Sequence, residues 1–221
     1  MAPRQPLTRD RVLDAALALA GTDGLAGLSM RKLAKTLGVE AMALYNHVAN
    51  KTDILNGIAD RVFSEIDRAD PGLRWDQRAR AIAVGMYRAL RRHPVVPMAI
   101  ATSQANLTTL RALQPLDDLT GAFYEAGLDD DGVRQAILAV YSLVFGSLWL
   151  TTAGFARDAD QAITPEHVDP YLHRLDPDKL PHSSRLLPAL AAGGAESDFM
   201  RGLDVLIAGL AVLATPRRPS A

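Results

Sequence analysis

The sequence predicts an all-α protein, and three observations predict it. Apolar residues recur at spacings of three and four along most of the chain, and no stretch shows convincing two-residue alternation. Pro, Gly and the capping residues Ser, Thr, Asn and Asp fall where helices must start and stop. Of the 221 residues, 48% are apolar, which is ample for a packed core in one or two domains. The reading divides the chain into a head over residues 1–68 and a second helical domain over residues 69–221.

Composition excludes several classes. There is no cysteine, so disulfides, thiolate metal sites and a cysteine nucleophile are absent from the inventory. No run of eighteen apolar residues suggests a membrane span, and the first residues lack an apolar leader, so a cytoplasmic location is expected. No phosphate-cradling glycine loop, H-E-x-x-H or nucleophile elbow occurs, so no enzyme and no cofactor is expected. The net charge of −1 is uninformative, but its distribution is uneven. Residues 1–51 hold seven Arg or Lys against four Asp or Glu, near +3, which leaves the remainder near −4. Chance asymmetry is the alternative.

Taken in order, residues 1–6 read as a mobile arm. Thr8 caps the first helix, with Leu7 and Val12 as a hydrophobic staple across the cap. Val12, Ala15, Ala16, Leu19 and Ala20 form its buried stripe, and Gly24 ends it. Ser29 caps the second helix, stapled by Leu28 and Leu33. Gly38 stops it, because glycine takes the left-handed conformation without steric cost. A third helix follows over Glu40–Val48, with Leu44 and Val48 turned inward. Asn50 caps the fourth, which runs to about Asp67. Asp53 stands at its capping-box position, Ala49 and Ile54 form its staple, and Ile54, Leu55, Ile58, Val62, Phe63 and Ile66 face inward.

Pro71 and Gly72 mark the break between domains. Trp75–His93 carries Ile82, Met86 and Leu90 at spacing four. Pro97 opens a short helix through Gln104. Asn106 caps the next, which ends near Ala126 at Gly127. A long apolar helix covers 131–156. Asp129, Asp130 and Asp131 read as helix-terminus carboxylates, with a metal cluster as the alternative. Residues 157–195 are irregular, with helical fragments near 165–174 and 178–191. His167, His173 and His182 match no metal-site spacing and read as solvated loop residues. A final helix covers 196–215, followed by a frayed tail.

The second and third helices carry the chemistry. Small Ala34, the glycine turn and the Leu44 anchor form the order that a helix-turn-helix needs, since steeply crossed helices must approach closely. The outward residues of the third helix are Ala41, Met42, Ala43, Tyr45, Asn46 and His47. They are small, apolar or neutral polar, where an ordinary solvated helix carries several Glu and Lys. An ordinary helical hairpin is the alternative reading of the spacing.

The run LTRDRVLDAALALAGTDGLAGLSMRKLAKTLGVEAMALYNHVANKTDIL resembles the DNA-binding domain of the TetR (tetracycline-repressor) family of bacterial regulators, over Thr8 to about Asp67. LGVEAMALYNHVANK is similar to the tetracycline repressors themselves, with Leu44, Tyr45, His47, Val48, Asn50 and Lys51 in family places. Beyond that segment the likeness is one of helix layout. The resemblance implies a palindromic double-stranded DNA operator bound by a homodimer, and a C-terminal helical domain for ligand binding and dimerisation. It implies that Arg31 reads a base edge, where guanine offers O6 and N7. Tyr45, His47 and Lys51 match residues that contact the phosphate backbone, and Ser29 and Thr52 add phosphate bonds. One departure stands out. Tetracycline repressors carry Gln, Pro and Thr where this chain has Ala41, Met42 and Ala43. Amide reading of adenine is lost there, and contact with thymine methyls is what remains.

For the C-terminal domain the expectations are looser. Met86, Leu90, Met98, Thr102, Leu110, Leu113, Tyr141, Phe145 and Trp149 are taken to line an effector cavity between helices. Core or interface packing is the competing explanation of the Tyr141–Phe145–Trp149 stripe. Met98 falls near the place where tetracycline repressors use a His to bind the drug's magnesium. That favours a small, largely apolar effector and no metal. The dimer surface is assigned to helices 131–156 and 196–215, through Gly146, Leu150, Gly202, Leu206, Ala208 and Gly209. The glycines would let backbones approach, with packing inside one chain as the alternative.

Overall fold

A computed structural model describes residues 6–152, 176–191 and 194–214. Among them every regular element is helical. In order these are α1 (Arg9–Gly27), α2 (Met30–Leu37), α3 (Ala41–Leu44), α4 (Lys51–Ser64), α5 (Trp75–Arg92), α6 (Val95–Ala101), α7 (Leu110–Glu125), α8 (Asp130–Thr152), α9 (Pro181–Ala191) and α10 (Ala195–Leu213). The chain forms two compact units. One comprises residues 1–70 and 85–119, the other 71–84 and 120–221. The head expected over 1–68 therefore packs together with the end of α5, with α6 and with the start of α7.

The first unit is started by side-chain caps. Thr8 Oγ1 accepts from Arg11 N–H at 3.3 Å, Ser29 Oγ from Lys32 N–H at 3.3 Å, and Asn50 Oδ1 from Asp53 N–H at 2.9 Å. Each satisfies a backbone donor that the helix start leaves without a partner. The α1 backbone breaks at Gly24, where φ is +69°, and resumes through Gly27. Val12, Leu13, Ala16, Leu19 and Ala20 bury its inner stripe. On α4 the expected inward residues Ile54, Leu55, Ile58, Val62 and Phe63 are buried, and so is Ile66 just past its end. Full burial of one such side chain contributes about 1.5–3 kcal/mol, so this stripe holds α4 against α1 and α6.

Several boundaries differ from expectation. The third helix is only Ala41–Leu44 instead of Glu40–Val48, and Tyr45, Asn46 and His47 continue as a turn. There the His47 and Val48 amides both close on the Leu44 carbonyl, at 2.9 and 3.0 Å. The fourth ends at Ser64. The sixth starts at Val95 and not at Pro97, which fits in its first turn because no intrahelical partner is needed for a proline nitrogen there. Thr109, not Asn106, caps α7, since its Oγ1 accepts from Ala112 N–H at 3.2 Å. Asn106 instead donates its backbone N–H to Asn56 Oδ1 on α4 at 2.8 Å.

One buried carboxylate organises that junction. Asp60 on α4 is 7% exposed. It accepts from Thr108 N–H at 2.7 Å, from Thr109 N–H at 3.2 Å and from the Thr108 hydroxyl. A negative group at the start of α7 is favoured by the helix dipole. Past the end of α4, Arg68 pairs with Asp118 on α7 at 2.9 Å.

In the second unit α8 packs on α10. Val133, Ala136, Val140, Val144 and Leu148 form the buried face of α8, and Phe199, Leu203 and Leu210 that of α10. The three aspartates read as helix-terminus carboxylates each have a protein partner. Asp129 caps α8 by accepting from Gly132 N–H at 2.9 Å, Asp130 accepts from the Tyr124 hydroxyl at 3.0 Å, and Asp131 pairs with Arg134 at 3.4 Å. His182 is exposed on α9; His167, His173 and the fragment at 165–174 lie outside the described residues. One correction concerns hydropathy: Asp130–Leu150 is long and apolar enough to cross a membrane by length and composition, and only 28% of it is buried.

Asp60→Ala should lower unfolding free energy by about 1–3 kcal/mol in urea denaturation, because it removes the buried carboxylate that accepts from the Thr108 and Thr109 N–H groups in part-buried hydrogen bonds. Asp14→Ala, which removes an exposed partner of Arg61, should cost less than about 1 kcal/mol. Equal costs would contradict the buried role of Asp60.

Candidate nucleic-acid interface

The helix-turn-helix is set by four buried residues and one glycine. Leu33 and Ala34 on α2, and Leu44 and Val48 around α3, are all buried. Between them Gly38 sits at φ +65° and ψ +35°. Its N–H reaches the Lys35 carbonyl at 3.2 Å, and the Val39 N–H reaches the Ala34 carbonyl at 3.0 Å. Those bonds satisfy carbonyls at the end of α2 that would otherwise lack partners.

What remains points outward. Met42 is 75% exposed, Tyr45 and Asn46 are exposed, and Ala41, Ala43 and His47 are half-buried. Arg31, Ser29 and Thr52 are exposed as well. No carboxylate occurs from Ala41 through Thr52. Lys51 differs from the rest: its Nζ donates to the Leu25 carbonyl at 2.6 Å, tying the start of α4 to the last turn of α1.

One residue escaped the sequence reading. Arg9, on α1, forms a two-pronged pair with Asp53 on α4, Nη2 to Oδ1 at 2.7 Å and Nη1 to Oδ2 at 3.0 Å. Its Nη1 also donates to the His47 carbonyl at 3.0 Å. The Arg9 hydrogen bond, helped by the Ala49 N–H, holds the Asp53 carboxyl below its ordinary value of 3.8 against the opposing effect of burial. The partners are 44 residues apart, and nothing in the local pattern links them.

Comparison with known proteins decides what this geometry belongs to. Residues 12–58 match the family model of bacterial regulatory proteins of the tetR family, and residues 69–214 match that of the tetracyclin repressor-like C-terminal domain. The chain belongs to the TetR family. It is a DNA-binding transcriptional regulator. An HTH-type transcriptional regulator of Saccharopolyspora erythraea is 32% identical over 215 residues, covering 94% of this chain and 86% of the relative. The class D tetracycline repressor protein of Escherichia coli is 28% identical, covering 95% of this chain and 91% of its own. The fold is also that of ActR from Streptomyces coelicolor in complex with (S)-DNPA, with a TM-score of 0.78, 23% identity, and 95% and 100% of the two chains covered.

The TetR regulator's expected effector residues do not all lie where a cavity wall requires. Met86 and Leu90 are fully buried, and Met98 is half-buried. Leu110 is 88% exposed, and Leu113 is also exposed. The Thr102 hydroxyl is occupied by the Met98 carbonyl at 2.8 Å. In the other unit, Tyr141 and Phe145 stack with ring centroids 6.1 Å apart, and burial pushes the Tyr141 hydroxyl up to about 12. Trp149 is exposed. A wide concavity lined by Tyr124, Leu128, Asp129, Asp130 and Asp131 is acidic and open, unlike the apolar cavity expected.

The expected dimer residues divide. Gly146, Leu150, Ala208 and Gly209 are exposed, and Leu206 is half-buried. A Cβ added at Gly146 or Gly209 would meet nothing within 4 Å. Gly202 is different: a Cβ there would lie 3.3 Å from Leu143 Cδ1, so packing inside one chain accounts for it.

The Asp53 carboxyl titrates lower when folded than when unfolded, so it contributes stability above 3.8 that is lost as pH falls through the folded value. NMR titration should place its midpoint below 3.8, and Arg9→Ala should move it upward. A midpoint unaffected by that substitution would contradict the pairing.

Proposed function

We propose that the chain is a ligand-responsive repressor that binds a palindromic operator as a homodimer and is released by a small, largely apolar effector. The observation that carries the DNA part is the exposed Met42, Tyr45 and Asn46 in a run without a carboxylate from Ala41 through Thr52, backed by the buried Leu44 and Val48. Residues 1–68 serve as the DNA-binding head and residues 69–221 as the ligand and dimer domain, working in the bacterial cytoplasm. Arg31 reads one base pair, Ala41, Met42 and Ala43 contact thymine methyls, and Ser29, Tyr45, Asn46, His47, Lys51 and Thr52 fix register on the phosphates. A two-fold dimer places its half-sites about one helical turn, 10–10.5 bp, apart or a multiple of it.

The dimer is supported by the apolar side chains that α8 and α10 leave exposed. They include Leu138, Leu150, Val205 and Val212, the last at 85%. An effector that binds better to a spacing of heads unsuited to the operator would release DNA by population shift. A constitutive regulator without a small ligand is the second reading, favoured by the exposure of Leu110 and Leu113.

Binding should be measured on DNA from the protein's own promoter region across a salt series. Arg31→Ala should cost roughly 1–3 kcal/mol on the operator and relax preference at one base pair. Lys51→Ala should weaken all sequences alike and reduce the salt slope by about one. An unchanged slope together with a lower melting temperature would assign Lys51 to the Leu25 carbonyl alone. Equal losses on operator and random DNA would refute base reading by Arg31.

Ala208→Asp should convert the dimer to a monomer on size-exclusion analysis, because it places a charge within the apolar face. An unchanged dimer would move the interface elsewhere. A thermal-shift screen of small apolar molecules, followed by operator release, separates the ligand-responsive reading from the constitutive one.

A further inference from the structure

The turn after α3 carries Tyr45, Asn46 and His47, yet α3 itself has only four residues and cannot fix the direction of the chain beyond Leu44. The backbone there is held from outside. Arg9 Nη1 donates to the His47 carbonyl at 3.0 Å, and Asp53 Oδ2 accepts from the Ala49 N–H at 2.8 Å. The peptide groups on either side of Val48 are thus tied to the two members of one ion pair. From this geometry we infer that the Arg9–Asp53 pair is a positioning device for the DNA-contacting turn Tyr45–Lys51. It rests on the DNA-binding reading above.

Two further observations carry it. Gly57 on α4 lacks a side chain where one would collide: a Cβ would lie 2.9 Å from Leu13 Cδ2 and 3.2 Å from Arg9 Nη2. Glycine inside a helix is unfavourable, and its presence there makes room first for Leu13 and then for Arg9 where α1 meets α4. The pair is also partly exposed, with side chains 45% and 29% accessible. Exposed ion pairs contribute little to global stability, so its return lies in the geometry it imposes. A fork of two parallel N–H groups imposes that geometry in a way an ammonium cannot.

The competing role for Arg9 is direct contact with a phosphate, and the two roles predict opposite signs. Asp53→Asn removes a negative charge and releases Arg9. If Arg9 positions the turn, operator affinity falls about tenfold or more, with the salt slope changed by less than about one. If Arg9 contacts phosphate, affinity rises. Arg9→Lys keeps the charge but loses the fork, so positioning predicts the same fall, while phosphate contact predicts near-native binding. Asp53→Glu should restore most of the affinity, and melting temperatures should stay close to that of the unsubstituted protein.

A DNA-free readout accompanies these. In the full-length protein, amide exchange across Tyr45–Asn50 should speed up about tenfold in Arg9→Ala, which leaves the Asp53 acceptor of the Ala49 N–H in place. Exchange unchanged in that variant, or a gain in affinity in Asp53→Asn, overturns the inference. Failure of the unsubstituted protein to bind any promoter DNA would instead overturn the regulator reading, and the exchange experiment would still decide the clamp.

Discussion

A helix of four residues cannot hold itself together in water, because nucleation fixes several residues for a single hydrogen bond. That constraint governs the head of this protein. Since α3 cannot be autonomous, its place must come from burial of Leu44 and Val48, from the left-handed turn at Gly38 and from atoms supplied by α1 and α4. The benefit is a segment that leaves Met42 and Asn46 exposed while Leu44 and Val48 hold it in place. Met42 and Asn46 are therefore available to a ligand as large as a DNA duplex.

The same division of labour extends along α4. Its apolar stripe fills the core, while its polar residues fasten neighbouring segments. Asp53 and Arg61 hold α1, Asn56 and Asp60 hold the chain leading into α7, and beyond the end of α4 Arg68 meets Asp118. Among these, the Asp60 contact differs in kind. It is buried and multiply bonded, so breaking it leaves polar groups stranded, whereas the exposed pairs mostly choose geometry. Together these contacts link the start of α4, beside the turn after α3, to the start of α7.

What was legible in the sequence was local. Thr8, Ser29 and Asn50 cap because a side-chain oxygen next to a helix start has a backbone donor three residues on, and Gly38 turns because glycine alone takes that backbone freely. The inward stripe of α4 follows from period alone. Two differences depend on a neighbour distant in sequence. Arg9 finds Asp53 and His47 across the fold. Asn106 leaves the cap of α7 to Thr109, and its own N–H goes to Asn56 on α4. The third helix was drawn too long because Leu44 and Val48 keep helical spacing through a turn. Leu110 and Leu113 were assigned to a cavity on apolar character, which does not distinguish a wall from an exposed surface.

The glycines of α8 and α10 carry the last step. A glycine within a helix costs about 1 kcal/mol relative to alanine, so it calls for a reason. Gly202 has one inside the chain, against Leu143; Gly146 and Gly209 have open space instead. Beside them stand exposed Leu150, Val205 and Val212. Lipid is a poor fit for that face, because α10 also carries Glu196, Asp198, Arg201 and Asp204 along its length, and charges in a bilayer are costly. A second copy fits better: small residues admit a close backbone, apolar neighbours lose water, and the charges remain at a wet rim. The dimer proposed above therefore rests on glycines whose space nothing among the described residues fills.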